Sequence, residues 1–118
     1  LQRTQSTTKH FTSVTPDPTP LPDQDLHNGQ KISLGQELLT IIETPGHTPG
    51  GISLLAPNIL FSGDMVFAKG FGRTDLSYSS PSDFQKSLTK LFKLPNSTIL
   101  YPGHGLSTSI KKVKLVLK

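Results

Sequence analysis

Short apolar runs separated by loops rich in Gly and Pro constrain the fold of this chain more than any other feature. The most apolar run, LLTIIE at residues 38–43, is rich in β-branched side chains and predicts a strand covered on both faces. It ends at TPGHTPGG, residues 44–51, whose prolines and glycines exclude a helix or a central strand. Similar runs predict further strands at residues 31–34, 52–55, 59–62 and 98–101.

One segment, residues 81–93, has the pattern of a helix. Ser80 is a favourable N-cap, Pro81 suits the first helical position, and Asp83 completes an S-x-x-D sequence that resembles a capping box. Apolar and basic side chains alternate along it at helical spacing, at Phe84, Leu88, Leu91 and Phe92 and at Lys86, Lys90 and Lys93. The sequence therefore predicts an α/β fold with a mixed sheet and one clear helix.

The order of these elements brings three polar residues to one edge of the sheet. The two strands that flank residues 52–55 run in the same direction, and the helix returns the chain into strand 98–101, which is then parallel to them. Just beyond the C-terminal ends of these three strands lie His47, Asp64 and His104. Because open α/β sheets bind ligands at that edge, these residues are the candidate site.

Two imidazoles and one carboxylate suit Zn²⁺ or another borderline divalent ion, and a carboxylate can bridge two metal ions. A metal held there lowers the pKa of a bound water and polarises a carbonyl or phosphoryl oxygen. Thiolate ligands and disulfides are excluded, because the chain contains no Cys. A single Gly-His or Gly-Asp pair after a strand is usually an ordinary turn. Three such residues at one edge of the sheet give a metal site and a structural role about equal weight on geometry alone.

The composition divides the chain into three parts. Residues 1–29, rich in Thr, Ser, Pro and Asp, predict an extended connector, residues 30–110 hold the sheet and helix, and residues 111–118 form a basic tail. The net charge of +4 comes from the four lysines of that tail. Because no aromatic residues lie between its lysines, we interpret the tail as a solubilising end rather than a surface that binds nucleic acid. Nucleic-acid binding is the weakest of three functional hypotheses.

The sequence contains no apolar stretch long enough to span a membrane and no visible signal peptide. We therefore expect a cytoplasmic protein whose function involves neither a membrane nor nucleic acid.

Four blocks, TPGHTPGG, ILFSGDMVF, GFGRTDL and YPGHG, occur in this order along the chain. Together they resemble the C-terminal half of the metallo-β-lactamase superfamily, particularly its small glyoxalase-II-like hydrolases, over about residues 23–110. The resemblance implies half of an αβ/βα sandwich with two metal ions between the halves. It implies that His47 binds the first metal, that Asp64 bridges both and is the catalytic residue of the set, and that His104 binds the second. The metal implied is zinc, with iron or manganese as alternatives.

In that family the remaining ligands come from an H-x-H-x-D-H motif on the N-terminal half, and these 118 residues do not contain it. The resemblance therefore implies a partner, either the missing N-terminal half or a second copy of the chain. The second hypothesis follows from the same observation and from the start at Leu1 rather than Met: an inactive fragment, or one part of a split protein.

The activity that the resemblance implies is hydrolysis of a thioester or ester by a dinuclear zinc site, as in hydroxyacylglutathione hydrolases. Asp64 stands where many true β-lactamases of this fold carry Cys, so antibiotic hydrolysis is not expected. The GRTD block also resembles persulfide dioxygenases, which use one iron and dioxygen, but PGHG at residues 102–105 favours the hydrolase. Arg73 and Asp75 suit substrate binding at the pocket rim and a surface pair that braces a loop equally well.

Overall fold

A mixed six-stranded sheet forms the centre of the structure, a computed structural model that describes residues 20–116. In spatial order its strands are β1 (Lys31–Leu34), β2 (Glu37–Glu43), β3 (Ile52–Ala56), β4 (Ile59–Gly63), β7 (Ile99–Pro102) and β8 (Thr108–Ser109). A separate hairpin contains β5 (Val66–Phe67) and β6 (Gly70–Phe71), and the helices are α1 (Pro81–Leu91) and α2 (Ile110–Val116).

Tight turns make β1 to β4 an antiparallel meander. Gly35, with φ of +62°, lies in the turn between β1 and β2, and Asn58, with φ of 60°, lies in the turn between β3 and β4. Glycine and asparagine are the residues that adopt this left-handed conformation most readily. The predicted antiparallel relation of strands 38–43, 52–55 and 59–62 is confirmed.

The parallel step of the sheet is the pairing of β4 with β7, in which Phe61 lies opposite Tyr101. Helix α1 lies between these strands in the chain, as the sequence predicts for a crossover. The Ser80 hydroxyl caps it by accepting a hydrogen bond of 3.3 Å from the main-chain N–H of Asp83. The helix ends at Leu91, two residues before the predicted end, because its last turn tightens into 3₁₀-type hydrogen bonds before Pro95.

The hydrophobic core lies between the two helices and one face of the sheet. Leu60 and Leu100 project into it from the adjacent strands β4 and β7. The β5–β6 segment, the two helices and the loops complete the core, with Met65, Val66, Phe84, Leu88, Leu91, Ile110 and Val113 buried in it. The expected helical stripe is thus confirmed, with Phe92 only partly buried.

One expectation about burial is confirmed in part and another is wrong. In the middle of β2, Ile41 is fully buried on one face and Ile42 packs against the core on the other, although Leu38 near the start of the strand is more than half exposed. On β7 only Leu100 is buried, and the opposite face presents Phe61, Ile99 and Tyr101 to solvent, with the two aromatic rings stacked at 5.8 Å. We call this surface of three residues the open face. An apolar run in the sequence does not reveal whether a second layer covers its strand.

Residues 110–116 also differ from the sequence prediction. Most of this segment belongs to the predicted basic tail, but it forms α2, and Ile110 and Val113 are buried in the core. The lysines between these two positions conceal a short apolar stripe of one helical turn. Residues 20–29 of the predicted connector carry neither strand nor helix, while residues 1–19 and 117–118 lie outside the described residues. No helix within residues 20–116 is long and apolar enough to cross a membrane.

Replacing Leu88 with Ala removes a buried side chain from the packing of α1 on the sheet. We expect the free energy of unfolding to fall by about 2–5 kcal/mol, because the cavity left behind closes only in part. Urea denaturation followed by circular dichroism measures the change. Gln85→Ala, on the exposed side of the same helix, is the control and should change the free energy by less than about 0.5 kcal/mol. Equal losses in the two variants would show that α1 does not pack as described.

Candidate metal centre

The three residues predicted to meet at the carboxyl edge of the sheet do meet there. His47 follows β2, Asp64 follows β4, and His104 follows β7. One carboxylate oxygen of Asp64, Oδ1, lies 2.9 Å from Nδ1 of His104, and the other, Oδ2, lies 3.7 Å from Nε2 of His47. Asp64 is therefore the central residue of the group, with one imidazole on each of its oxygens.

Glycines make this approach to Asp64 sterically feasible. Gly63, with φ of +57°, turns the chain at the end of β4, and its carbonyl accepts a hydrogen bond of 2.8 Å from the N–H of Gly103. A Cβ on Gly103 would lie 2.6 Å from Oδ1 of Asp64, and a Cβ on Gly72 would collide with the main-chain oxygen of Asp64. Both positions therefore need glycine for the site to keep its shape.

A main-chain contact fixes the tautomer of His47. Its Nδ1 lies 2.7 Å from the carbonyl oxygen of Arg73, and a carbonyl can only accept, so Nδ1 carries the proton. In the neutral ring, Nε2 then keeps its lone pair, and this is the nitrogen that faces Asp64. A ring N–H donated to a carbonyl is the usual arrangement of a metal-binding histidine.

The beginning of α1 supports the loop that carries His47. Serines from the helix and the segment before it, together with one main-chain N–H, donate to three successive carbonyls of residues 45–47. These are Ser87 Oγ to Pro45 at 2.7 Å, the Ser80 N–H to Gly46 at 2.8 Å, and Ser79 Oγ to His47 at 2.8 Å. The loop is thereby held by the helix rather than by its own sequence alone.

Gly46 brings that loop into direct contact with the helix. Its φ of +140° is a conformation that residues with a side chain rarely adopt. A Cβ at this position would collide with the main chain of Phe84. The loop and the first turn of α1 are therefore packed backbone to backbone, immediately before His47.

The side chain of His104 is held much less firmly than that of His47. The exposed fractions are 21% for His47, 36% for Asp64 and 78% for His104. Apart from Asp64, the ring of His104 contacts Phe67 edge-on, with the ring centroids 6.2 Å apart. Within residues 20–116, no three His, Asp or Glu side chains are arranged as a preformed metal-holding group.

The chemical types of these three side chains nevertheless suit a metal ion. Two imidazoles and one carboxylate are ordinary zinc ligands, while a tetrahedral zinc ion takes four. The glycines around Asp64 leave room for its carboxylate, and His47 already presents the required nitrogen. The three residues offer one donor fewer than a tetrahedral zinc ion takes.

A cavity of about 230 Å³ borders His47 and Asp64, and sequence reasoning did not find it. Its lining includes Ser62, whose Oγ is buried and has no hydrogen-bond partner among the described residues. Nearby, the buried hydroxyls of Thr44 and Ser53 lie 3.0 Å apart. Hydroxyl residues within or directly after otherwise apolar strands, Ser62 and Thr44, are the sequence signal for the polar atoms of this lining.

Arg73 and Asp75 form a surface ion pair. The guanidinium donates two hydrogen bonds, of 2.9 and 3.1 Å, to the two carboxylate oxygens of Asp75, and both side chains are about 70% exposed. The hydrogen bond from Arg73 lowers the pKa of Asp75, and the pKa of Arg73 is raised by the same contact. The contact of Arg73 with His47 is made by its main-chain carbonyl, not by its side chain. A substrate-binding role for the side chains of Arg73 and Asp75 stays a prediction.

Comparison with known families supplies the context for this site. The profile of the metallo-β-lactamase superfamily matches residues 2–104 of the chain. A curated relative, an uncharacterised protein of Mycobacterium tuberculosis, is 44% identical over 91 residues, which are 70% of this chain and 41% of that protein. The hydroxyacylglutathione hydrolase of Brucella ovis is 42% identical over 97 residues, which are 80% of this chain and 37% of the enzyme. The chain thus spans about two fifths of the length of these relatives.

Solved structures agree with the fold. The BLEG-1 B3 metallo-β-lactamase is 28% identical with a TM-score of 0.83, and the match covers 98% of this chain and 58% of that one. ETHE1 from Myxococcus xanthus and the protein TTHA1623 in a di-iron-bound form are both 32% identical, with TM-scores of 0.76 and 0.78. Each of these two matches covers 92% of this chain, and 52% and 53% of the other chain respectively.

The Arg73–Asp75 pair predicts a pH effect of definite sign. Because the pKa of Asp75 is lowered from its ordinary 3.8, the pair stabilises the loop above that pH and loses its effect as the pH falls through the lower folded value. Titration of the Asp75 carboxyl carbon by ¹³C NMR should give a pKa below 3.8. In Arg73→Gln the pKa should rise toward 3.8, and Lys86→Gln, on α1, should leave it unchanged. An unshifted Asp75 in the unmodified protein would contradict the ion pair.

Proposed function

The chain belongs to the metallo-β-lactamase superfamily, and from that premise we propose that it supplies half of a dinuclear metallohydrolase site that cleaves a thioester or ester. The observation that carries the proposal is the fixed tautomer of His47. Its Nδ1 proton is donated to the Arg73 carbonyl, so its Nε2 faces Asp64 ready for a metal ion. The ring is oriented by a carbonyl 26 residues away in the sequence, and its other nitrogen is directed at a carboxylate.

In the proposed site His47 would hold the first metal ion, His104 would hold the second, and Asp64 would contribute to both. The ions, when bound, supply a polarised substrate carbonyl and an activated water. The chain's own residues orient that chemistry: the Arg73 carbonyl fixes the His47 ring, and Gly72 and Gly103 leave space for the Asp64 carboxylate. Zinc is the proposed metal, and the di-iron-bound form of a protein 32% identical to this one supports iron as the alternative.

The proposed substrate is a thioester such as an acylated glutathione. The support is the 42% identity with a hydroxyacylglutathione hydrolase over most of this chain. A second candidate, a persulfide dioxygenase-like iron enzyme, is favoured by the GRTDL part of the sequence at residues 72–76. The two candidates differ in metal and co-substrate, so a single pair of assays separates them.

The remaining ligands are proposed to arrive on a second sheet that covers the open face. Phe61, Ile99 and Tyr101 form an exposed apolar surface on the side of the sheet away from the helices. Covering such a surface removes apolar area from water, which favours a packed second layer. The proposed partner is an N-terminal half that carries the H-x-H-x-D-H motif, and a second copy of this chain is the alternative.

A fusion of the N-terminal half of the Brucella relative to this chain tests the activity. Loaded with zinc, it should hydrolyse S-lactoylglutathione. His47→Ala should lower the rate by more than the roughly 10–100-fold that loss of an outer-shell partner costs. His27→Ala, at an exposed histidine outside the site, is the matched control. No turnover with zinc bound would exclude this substrate, and oxygen-dependent persulfide oxidation by the iron-loaded fusion would support the second candidate instead.

Gly103→Ala separates the bridging role of Asp64 from the stability of the fold. The new Cβ meets only the end of the Asp64 side chain closely, so the carboxylate should move while the backbone stays in place. We expect zinc affinity of the fusion, measured by calorimetry, to fall by roughly tenfold, with little change in melting temperature. Gly70→Ala, where a Cβ meets nothing within 4 Å, is the control. Unchanged zinc affinity in Gly103→Ala would show that Asp64 is not a ligand.

A further inference from the structure

A second cavity, of about 300 Å³, borders His104. It lies between the β5–β6 hairpin and the loop after β7, and its lining consists of Phe67, Ala68, Lys69, His104, Gly105 and Leu106. It shares no lining residue with the cavity beside His47. Each of the two histidines on Asp64 therefore has a separate space next to it.

Most of the wall of this second cavity is apolar. The ring of Phe67 forms one side and is packed edge-on against His104. Leu106, although a large apolar side chain, is 77% exposed, so a ligand that covers it removes apolar surface from water. Ligand pockets measure about 300–1,000 Å³, and a space at the low end of that range suits a small group rather than a whole substrate.

One cation lines the same cavity. Lys69 lies in the turn between β5 and β6, and no Asp or Glu belongs to the lining. None of the ion pairs formed by residues 20–116 includes Lys69. An ammonium group beside an apolar wall, without a carboxylate partner, favours a ligand that brings its own negative charge.

The hairpin that forms this wall is attached to the core. Met65 and Val66, directly before Phe67, are buried in the hydrophobic core. The N–H of Gly72 donates a 3.0 Å hydrogen bond to the Met65 carbonyl and closes the base of the hairpin. Phe67 and Lys69 therefore stand on a supported element, which is how binding groups are held in a fixed position.

We propose that this cavity binds the acyl part of the substrate and selects a short aliphatic chain that ends in a carboxylate. The reacting carbonyl lies next to His104 and Asp64, the methylene groups lie against Phe67 and Leu106, and the far carboxylate pairs with Lys69. A short neutral acyl group leaves the Lys69 ammonium without a partner. The assignment of the bound group as an acyl group rests on the proposed function, whereas the cavity and its charge do not.

Binding of two matched probes to the full chain tests the site without metal or turnover. Monomethyl glutarate carries one ester and one carboxylate, and dimethyl glutarate has the same chain without the charge. In titrations followed by ¹H–¹³C NMR, we expect monomethyl glutarate to shift the methyl signals of Leu106 and to bind about threefold to fivefold more tightly than the diester. Lys69→Met should remove that preference, and Lys86→Met, at an exposed lysine of α1, should retain it.

Leu106→Ala provides an independent measurement, because it should weaken binding of both probes by the same factor. Equal affinity of the two probes for the unmodified chain, or a preference that survives in Lys69→Met, would overturn the proposal. The amide spectrum of each variant establishes that the fold is intact.

The outcome is separable from that of the proposed function. If the zinc-loaded fusion hydrolyses thioesters, Lys69→Met should raise KM for a glutaryl thioester and leave KM for a butyryl thioester unchanged. If the fusion is inactive, the probe titration still decides whether the cavity selects a carboxylate. Hydrolysis of glutaryl and butyryl thioesters with the same KM by the unmodified fusion would contradict the selectivity.

Discussion

The parallel pairing of β4 with β7 is the constraint on which the rest of the site depends. It brings Asp64 and His104, 40 residues apart in the chain, to within 2.9 Å of each other. A parallel pair needs a crossover connection, which usually contains a helix on one face of the sheet. Helix α1 meets that need and also supports the loop of His47. One pairing between two short strands therefore places Asp64 beside His104, and the helix that connects those strands supports the loop of His47.

The two histidines beside Asp64 differ in how they are held. His47 is oriented by a main-chain carbonyl and its loop is bound by α1, while His104 is largely exposed and contacts only Asp64 and Phe67 among the contacts described. His47 is the less exposed of the two, and His104 borders the apolar cavity with Lys69. Such a division gives the site one firmly oriented histidine and one that adjoins the space proposed to bind a substrate group.

The strands, the crossover helix and the convergence of His47, Asp64 and His104 follow from the sequence, because handedness and strand order leave few alternatives. Helix α2, the β5–β6 hairpin and β8 do not: two-residue strands have no periodicity, and lysines conceal Ile110 and Val113. The contribution of Arg73 to His47 is also invisible in the sequence, since a carbonyl is common to all residues. The apolar run at residues 98–101 predicts a buried strand but does not show whether a second layer covers it, whereas half of a sandwich leaves one face of the sheet uncovered, as the open face is.

The contact between Gly46 and the main chain of Phe84 has a consequence for how this segment can change over generations. The loop before His47 and the start of α1 touch through their backbones, so an insertion or deletion in either one displaces the other. Surface loops generally tolerate changes in length. Here a change in length at Gly46 has to be matched by a change at Phe84, 38 residues later in the chain. Chimeras of related proteins should therefore take the loop before His47 and the start of α1 from the same parent.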